Sequence, residues 1–340
     1  MKALSLVEPH HFEVVDRAEP ELGPEDVLVA PRYIGCCGTD LSSYRGTMPL
    51  TNYPTILGHE VSGVIIAKGK KVPARIQENA RVMLNPYQNC GLCPACRVGR
   101  VNACQFNQTM GVQRDGAMTE CVAAHYTKVY TSDMLSFQEL ALVEPLSVGY
   151  HAANRGRVSE TDTVLVLGCG AVGLGAIAAS ARKGATVIAL DLDEGKLEQA
   201  KRFGADYTIN STRENPQESV DALTNLEGVN VAIEAAGLPE TTRLAIELAA
   251  SVGRVVFIGW AKEEIALQTP FIVRKELDVV GSRNSLHVFP AVIKMLEARE
   301  RPFTSIISSV VSLEETPRAF ADWDAAPQQF AKIMVEIPTK

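Results

Sequence analysis

The sequence predicts an α/β protein that combines a β-rich N-terminal domain with a doubly wound parallel sheet. Three observations support this prediction. The chain has 340 residues, which is long for a single hydrophobic core. Its first part contains short β-rich runs separated by Gly, Pro and Asn, and its second part alternates apolar strands with amphipathic helices. We therefore expect one domain at 1–148, a second at 149–272, and a C-terminal segment at 273–340 that completes the sheet and returns to the first domain.

Composition and charge narrow the class of protein. Hydrophobic residues make up 46% of the chain and charged residues 21%, which is typical of a globular protein with a sizeable core. The net charge of −7 argues against general affinity for nucleic acid or an anionic membrane. The chain shows neither a secretory signal nor an apolar run of about 18 residues that could span a membrane. We expect a cytoplasmic protein whose eight cysteines are metal ligands or buried thiols rather than disulfides.

A cysteine-rich run interrupts the β-rich part at about 85–110. Cys90, Cys93 and Cys96 are separated by two residues each, and Cys104 follows after seven more. This spacing suits a closed tetrahedral zinc site, which has no open position and is structural. An iron–sulfur cluster and disulfides are the alternatives. The bacterial cluster run differs in spacing and carries a proline after its last cysteine, where this chain has Gln105.

The second part of the chain predicts a parallel sheet. Its strands are continuously apolar and alternate with amphipathic helices, which indicates that helices cover both faces of the sheet. The predicted elements are a strand at 163–168, a helix from Leu174, a strand ending at Asp191, a helix at 193–204, strands at 205–209 and 229–237, a helix at 239–253, and strands at 254–259 and 275–281.

The turn after the first of these strands has the spacing of a dinucleotide-binding loop. Gly168 permits the tight turn, Gly170 lets the backbone approach a diphosphate, and Gly173 allows close packing of helix against strand. With Ala171 and Val172 they form the run GCGAVG, where the amides of a helix N-terminus would hold the diphosphate. A merely close-packed turn is the alternative, but the strand before and the helix after favour cofactor binding.

An acidic residue beyond this loop predicts the cofactor. Asp191 ends the second strand, where a carboxylate accepts the ribose hydroxyls and repels a 2′-phosphate. Asp193 is the competing residue, interpreted as a solvated loop acid. We therefore expect NAD rather than NADP, and include Lys196 among the cofactor-binding candidates.

Two short runs in the β-rich part carry further metal-ligand residue types. IGCCGTD contains Cys36 and Cys37, and LGHEVSG contains His59 followed by Glu60. Taken alone, either cysteine would be interpreted as an inert buried thiol. Beside a structural zinc lobe and a dinucleotide fold, these runs indicate a second, catalytic zinc.

Seven motifs occur along the chain in the order GCCGTD, GHE, the four-cysteine run, DGAMTE (Asp115–Glu120), VEPLSVGYHA (Val143–Ala152), GCGAVG and KELDVVGSRN. In this set and order the whole chain resembles the zinc-dependent medium-chain alcohol and polyol dehydrogenases, in the sorbitol, threonine and sugar-acid dehydrogenase branch. The resemblance implies a GroES-like catalytic domain, a Rossmann domain and an active site in the cleft between them. It also implies two zinc ions per chain, NAD and a homo-oligomer, either a dimer or a tetramer.

The resemblance also assigns the catalytic zinc ligands. It places one ligand at Cys37, with Cys36 as a neighbouring core thiol, and another at His59. The remaining protein ligand is Glu60 or Glu144, with water or substrate in the open position. Glu60 could instead orient a ligand, and Glu144 could bind substrate hydroxyls.

The resemblance also suggests the route by which the substrate proton leaves. Thr39 matches the hydroxyl residue that begins a proton relay. Many relatives carry a histidine where this chain has Ser42, so proton exit through Glu60 and a water becomes the expectation. Zinc lowers the pKa of a substrate hydroxyl, and hydride passes to the nicotinamide.

Tyr44 and Arg283 match positions that contact polyol or sugar-acid substrates in similar enzymes. Tyr44 could equally be a loop aromatic, and Arg283 a surface or diphosphate-binding cation. The GSRN run favours a hexonate such as L-galactonate or L-gulonate, while sorbitol, galactitol and threonine stay open. A non-enzymatic binding protein and a zinc-free quinone reductase are disfavoured because both sets of zinc ligands are present. An enoyl reductase is disfavoured because it would use NADPH, whereas Asp191 predicts NAD.

Overall fold

The computed structural model describes residues 1–261 and 263–338 of the chain. The strands are β1 (Lys2–Glu8), β2 (His11–Asp16), β3 (Asp26–Cys36), β4 (Thr55–Ile56), β5 (Glu60–Lys68), β6 (Arg81–Leu84), β7 (Tyr87–Gln88), β8 (Gln108–Thr109), β9 (Val122–His125), β10 (Val129–Thr131), β11 (Thr163–Leu167), β12 (Thr186–Asp191), β13 (Tyr207–Asn210), β14 (Val229–Glu234), β15 (Ala249–Phe257), β16 (Asp278–Gly281), β17 (Ser309–Ser312) and β18 (Ile333–Glu336). The α-helices are α1 (Gly38–Tyr44), α2 (Pro94–Arg97), α3 (Phe137–Arg155), α4 (Ala171–Arg182), α5 (Glu194–Phe203), α6 (Pro216–Thr224), α7 (Pro239–Glu247), α8 (Thr269–Arg274), α9 (Phe289–Glu297) and α10 (Thr316–Ala325). No helix among the described residues is both long and apolar enough to cross a membrane.

The chain divides into two compact units. The first contains Met1–Glu144, Phe289–Ala298 and the chain from Phe303 onward, and the second contains Pro145–Val288 and Arg299–Pro302. The division falls inside helix α3, directly after Glu144.

The first unit is β-rich. Its main sheet has the strand order β10-β6-β5-β3-β18-β17, with β9 also paired to β3, and smaller sheets join β2-β1-β4 and β7-β8. Strand β3 alternates buried and half-buried positions over most of its length, as expected for a strand with one face against a core. Near the C-terminus of the chain, β18 pairs antiparallel with β3 and brings Ile333 opposite Cys36.

The second unit contains a six-stranded parallel sheet in the order β13-β12-β11-β14-β15-β16. Counted along the chain, this is the order 3-2-1-4-5-6 of a doubly wound dinucleotide-binding fold, which confirms the predicted fold class. Strand β11 is buried at four of its five positions, because neighbouring strands flank both of its edges and helices cover the sheet. The topology reverses between β11 and β14, and the carboxyl ends of the strands at such a switch point form a ligand crevice.

Helix boundaries in the second unit follow local signals. Asp193 caps the start of α5 by accepting a hydrogen bond from the backbone of Lys196, and Gly204 ends the helix at a φ of 108°. The helix predicted at 239–253 is wrong at its end, because α7 stops at Glu247 and β15 begins at Ala249. The physical reason is a bulge: Ala249 pairs with Val229, and the register then shifts before Arg254 pairs with Val231.

Candidate active site

The turn from β3 into α1 fixes the position of Cys37. Cys37 is the N-cap of α1, and its sulfur accepts a hydrogen bond from the backbone N–H of Thr39 at 3.2 Å. In return, the Asp40 carboxylate accepts the backbone N–H of Cys37 at 2.8 Å. This reciprocal cap explains the local sequence GCCGTD, because a short polar side chain at the cap and an acid three residues later satisfy the free amides of the helix.

Strand pairing brings a second run to the same place. The end of β3 pairs with the start of β5, where Gly35 lies opposite Glu60. The Sγ atom of Cys37 is 3.1 Å from Nε2 of His59. One donor atom from each of Cys37, His59 and Glu60 lies within 4.8 Å of the others. The structure therefore assembles three of the sequence-predicted ligands into one group.

The chemistry of this group fits zinc. A thiolate, an imidazole and a carboxylate are the ligand types of catalytic zinc sites, which keep one position open for water or substrate. The other ring nitrogen of His59, Nδ1, is buried without a hydrogen-bond partner and lies 3.6 Å from the likewise unpartnered Oδ1 of Asp40. A carboxylate behind a ligating histidine orients its ring. Burial lowers the pKa of His59, but Cys37 and Asp40 outweigh burial and raise it well above its ordinary value.

Glu60 also takes part in a buried ion pair that the sequence analysis did not identify. Nζ of Lys332 lies 2.6 Å and 2.7 Å from the two carboxylate oxygens of Glu60 and donates to the carbonyl of Cys36 at 3.0 Å. Both side chains are at most 2% exposed. Lys332 lies 272 positions from Glu60 in the sequence. In the sequence, Lys332 is noticeable only as a lysine directly before the apolar strand β18. This position does not indicate which acid it pairs with.

Glu144 lies outside the group formed by Cys37, His59 and Glu60. It is 4% exposed, and its carboxylate accepts a hydrogen bond from the hydroxyl of Tyr87, another residue that the sequence analysis missed. Burial raises the pKa of Glu144, His59 lowers it and Glu60 raises it again, and the result is about 7. The site therefore places two buried carboxylates near one histidine.

The other candidate residues of this site lie in different environments. Thr39 is half-buried beside Cys37, and Ser42 accepts two backbone hydrogen bonds from the loop after α1. Tyr44 is 5% exposed and packs against the rings of His10, Phe12 and Phe320 in the core of the first unit. Arg283 is exposed on the second unit. Roles for these residues toward the substrate or the proton stay predictions.

The four-cysteine run forms a compact lobe. Its sulfur atoms are separated by 3.5 Å for Cys93 and Cys96, 3.5 Å for Cys104 and Cys90, 3.8 Å for Cys93 and Cys104, and 4.0 Å for Cys90 and Cys96. Four sulfurs around one tetrahedral zinc, each about 2.3 Å from the ion, would be about 3.8 Å apart. All four cysteines are free thiols. The spacing therefore fits a single ion and fits neither a disulfide nor a cluster of several irons.

Backbone amides around the lobe favour the thiolate form that a metal needs. The amides of Leu92 and Cys93 donate to the sulfur of Cys90, and those of Cys90 and Phe106 donate to Cys104. Hydrogen bonds from the backbone lower the pKa of Cys93 to about 6. Burial and its cysteine neighbours raise the pKa of Cys96 to about 11. Amide donors therefore favour the thiolate form at Cys90 and Cys93, and a bound cation would favour it at Cys96.

The glycine-rich loop between β11 and α4 provides an open cradle. Gly168 has a φ of +96°, and a Cβ on Gly173 would lie 1.9 Å from the carbonyl oxygen of Gly168. A Cβ on Gly170 would meet nothing within 4 Å. Helix α4 begins directly after Gly170, which offers no side-chain cap, so the first amides of the helix face this open space. That arrangement fits the diphosphate of a dinucleotide.

Asp191 is tied to the same loop. It ends β12, is 9% exposed, and accepts hydrogen bonds from the backbone of Cys169 and Leu192, both at 2.8 Å. Asp193 instead caps helix α5. Half-buried Lys196 donates its backbone N–H to that cap. Of these two acids, Asp191 has its carboxylate hydrogen-bonded to the glycine-rich loop, whereas the carboxylate of Asp193 caps a helix.

Comparison with known families agrees with this geometry. Residues 23–133 match the alcohol dehydrogenase GroES-like domain, and residues 171–298 match the zinc-binding dehydrogenase family. The chain is 34% identical to sorbitol dehydrogenase of Bacillus subtilis over 98% of this chain and 97% of that protein. It is 30% identical to L-galactonate-5-dehydrogenase of Escherichia coli over 84% of each chain.

Solved structures show the same architecture with nicotinamide cofactors. A zinc-binding dehydrogenase of Sinorhizobium meliloti bound to NADP superposes with a TM-score of 0.91, at 30% identity over 98% of both chains. An alcohol dehydrogenase of Escherichia coli complexed with NADH has a TM-score of 0.91, at 28% identity over 99% of both chains. The fold and the two metal-ligand groups define a zinc-dependent oxidoreductase. The chain belongs to the zinc-dependent medium-chain alcohol and polyol dehydrogenases, whose cofactors are zinc and a nicotinamide dinucleotide.

Proposed function

We propose that this chain uses NAD⁺ to oxidise a secondary hydroxyl of a sugar acid, such as L-galactonate or L-gulonate, or of a polyol to the ketone. The observation that carries the proposal is the group of Cys37, His59 and Glu60, which brings a thiol, an imidazole and a carboxylate together with His59 and Glu60 buried. The reaction class follows from the family, and the substrate and the choice of NAD are the parts proposed here.

The proposal gives each residue of the site a task. Bound zinc would supply Lewis acidity that lowers the pKa of a hydroxyl, and nicotinamide would accept the hydride. Cys37 and His59 would hold the metal, and Asp40 would orient the ring of His59. A proton would leave the substrate through Thr39, which follows Cys37 by two residues, or through Glu60, whose carboxylate lies among the donor atoms of the group.

Two carboxylates compete for the third ligand position. Glu60 is supported by its place among the donor atoms, within 4.8 Å of the other two. Lys332, however, contacts both oxygens of Glu60 and would compete with a metal for the same lone pairs. Glu144 is therefore kept as the alternative ligand, with its other oxygen held by Tyr87.

Two relatives support the substrate class. One of them is named for a sugar acid and the other for a polyol, and both oxidise multiply hydroxylated chains according to their names. Arg283 is the residue proposed to bind the carboxylate of a sugar acid, because a guanidinium forms a two-pronged contact with a carboxylate. Sorbitol, galactitol and L-threonine are the alternative substrates.

The choice of NAD depends on Asp191. Its anchored carboxylate lies at the end of β12, where a ribose 2′-phosphate would be repelled. The two solved relatives hold NADP and NADH, so the family does not decide the choice.

The second unit supports a homo-oligomer, which we infer to be a dimer or a tetramer. Strand β16 is an edge strand of the parallel sheet, and Val279 on this strand is 38% exposed. Val252 and Val273 of the same unit are 72% and 79% exposed. Exposed apolar side chains and an open sheet edge are each typical of an association surface. Light scattering of the purified protein measures the number of chains directly.

A substrate panel tests the proposed function. The zinc-loaded enzyme is assayed with L-galactonate, L-gulonate, sorbitol, galactitol and L-threonine, each with NAD⁺ and NADP⁺. We expect the highest kcat/KM for a hexonate with NAD⁺, and two zinc ions per chain by elemental analysis. Arg283→Ala should raise KM for the hexonate much more than KM for a polyol of equal length. A KM increase for NAD⁺ with an unchanged acid-to-polyol ratio would instead assign Arg283 to the cofactor and remove the main support for a sugar acid.

A further inference from the structure

A pocket with both polar and apolar lining lies in the first unit, beside the cysteine lobe, and contains none of the metal-ligand residues. It has a volume of about 400 Å³, within the usual range of small-molecule sites. Its lining includes two cations, several amide side chains and one acid. The lining residues used below are Arg114, Lys128, Asn89, Gln88 and Asp26.

The two cations of this pocket lack acidic partners. Arg114 and Lys128 are both half-buried, and neither forms an ion pair with a carboxylate among the described residues. The nearest acid in sequence, Asp115, is bound to Arg17 at 2.9 Å. Asp26 lines the pocket without pairing with either cation. The pocket therefore holds two cations against one carboxylate, a net positive charge in a chain whose net charge is −7.

Neutral contacts hold these cations in place. The Arg114 guanidinium donates to the carbonyls of Pro86 at 3.3 Å and Gln108 at 3.4 Å, and Lys128 donates to the side-chain oxygen of Asn89 at 3.5 Å. Burial lowers the pKa of Arg114, and burial together with Arg114 lowers the pKa of Lys128. The fold thus keeps two like charges partly out of water and close enough to repel each other, which costs free energy unless an anion binds between them.

We propose that this pocket binds a phosphate dianion, either as the free ion or as the phosphate group of a small organic monoester. A dianion offsets both cations, whereas a single carboxylate offsets one. Its three or four oxygens accept the arginine fork, the lysine ammonium and the side-chain amides of Asn89 and Gln88 together. The pocket does not depend on the dehydrogenase assignment, because none of its residues belongs to the metal groups or to the glycine-rich loop.

Isothermal titration tests the site directly. The zinc-loaded protein is first saturated with NAD⁺, so that the diphosphate cradle beside Gly170 is filled. Inorganic phosphate, glycerol 3-phosphate and malate are then titrated at constant ionic strength. The test variants are Arg114→Gln and Lys128→Gln. The matched control is Lys70→Gln, which removes one positive charge from an exposed position outside the pocket.

We expect one saturable phosphate site per chain. Its affinity for phosphate should fall at least tenfold in each test variant and stay unchanged in Lys70→Gln. Tighter binding of glycerol 3-phosphate would identify a monoester as the ligand, and tighter binding of inorganic phosphate would identify the free ion. Lys128→Gln keeps the test decisive if Arg114→Gln misfolds, because the described contact of the Lys128 ammonium is a single bond to Asn89.

Four results would overturn the proposal. The first is no saturable phosphate binding, and the second is equal binding by the wild type and both test variants. The third is malate binding as tight as phosphate binding, which would mean that the pocket takes carboxylates. Loss of zinc from Lys128→Gln with intact phosphate binding would also contradict it, because the cation would then serve the neighbouring cysteine lobe through Asn89, which contacts Cys96.

Discussion

Lys332 is buried beside the zinc-ligand group and is the residue with the largest expected effect on stability there. Its ammonium contacts both oxygens of Glu60, and removing it would leave that carboxylate buried without its cation. Breaking a buried pair from one side typically costs about 3–5 kcal/mol. Lys332→Met should therefore lower the free energy of unfolding by about that amount, measured with urea on the zinc-loaded protein.

The exposed pair of Lys201 and Glu198 provides the matched control for Lys332. Lys201→Met should leave unfolding unchanged within error, because water screens an exposed pair. Equal effects of the two substitutions would show that Lys332 and Glu60 are not energetically coupled.

Asp191 controls the choice of cofactor in the proposed function. Asp191→Asn removes the negative charge that repels a 2′-phosphate and leaves one acceptor oxygen in place of two. The amide of Cys169 donates to one carboxylate oxygen and the amides of Leu192 and Asp193 to the other, so one side of this network loses its acceptor. NAD⁺ binding should weaken by about 1–3 kcal/mol, the cost of losing charged hydrogen bonds to the ribose, while binding of NADP⁺ improves. Fluorescence titration with both cofactors measures the change.

Asp193→Ala is the control for Asp191. Its carboxylate caps helix α5, so its loss should cost about 1 kcal/mol of stability without changing the ratio of NAD⁺ to NADP⁺ affinity. A cofactor ratio that changes in Asp193→Ala and stays constant in Asp191→Asn would move the ribose contact to Asp193.

The cysteine lobe is an element whose stability depends on its metal. Cys104 is fully buried, and its sulfur lies 3.5 Å from that of Cys90. Cys104→Ser should release one of the two proposed zinc ions and lower the Tm, because metal affinity in such lobes is part of the folding free energy. Cys121→Ser replaces another buried cysteine outside the lobe and should keep both ions. Full zinc content and an unchanged Tm in Cys104→Ser would contradict a structural metal.

Helix α3 packs closely against α4 within the second unit, and a glycine makes this contact possible. A Cβ on Gly149 would lie 2.1 Å from the carbonyl oxygen of Val172 and 2.3 Å from the amide nitrogen of Ala176. Both are backbone atoms, so the helices would have to separate. Gly149→Ala should therefore destabilise the protein by about 1–3 kcal/mol in a urea titration.

Gly281 in β16 is the control for Gly149, because a Cβ there would meet nothing within 4 Å. Gly281→Ala should change stability by less than about 0.5 kcal/mol. A Gly149→Ala protein as stable as Gly281→Ala would show that α3 and α4 are not closely packed at this point.

At the scale of the whole molecule, the fold was largely predictable from local patterns. Apolar strands alternating with helices predicted the parallel sheet, and the spacing in GCGAVG predicted the loop after β11. The four-cysteine run was predictable for the same reason, since its members are close in sequence. These features are local, so a short stretch of chain contains the whole signal.

Two of the missed residues of the site act across long separations. Lys332 reaches Cys36 from 296 positions away, and Tyr87 reaches Glu144 from 57 positions away. Nothing in the neighbouring sequence tells which buried lysine or tyrosine will meet which acid. Tyr44 shows the converse, because the motif that suggested a substrate contact does not reveal that its ring packs among three others.

The dependence of global stability on pH should reflect a buried ion pair in the second unit. Asp162 is 6% exposed and pairs with Arg254, which also donates to the carbonyls of Gly156 and Arg157. Burial raises the pKa of Asp162, but the hydrogen bonds from Arg254 and Ser159 outweigh burial and hold it below its ordinary value.

A lowered pKa in the folded state means that unfolding takes up a proton at acid pH. The contribution of Asp162 is therefore fully present above the pKa of the unfolded chain, about 4, and is lost as the pH falls through the lower folded value. Asp162→Asn should lower the free energy of unfolding by about 1–3 kcal/mol at pH 7, since it removes a charged hydrogen bond, and the difference from wild type should shrink below pH 4.

Asp16→Asn breaks an exposed pair with Lys2 and should give no measurable difference at any pH in 0.15 M salt. Urea titrations from pH 3 to pH 8 measure both series, and a constant difference between Asp162→Asn and wild type across this range would show that the ionised carboxylate does not stabilise the fold.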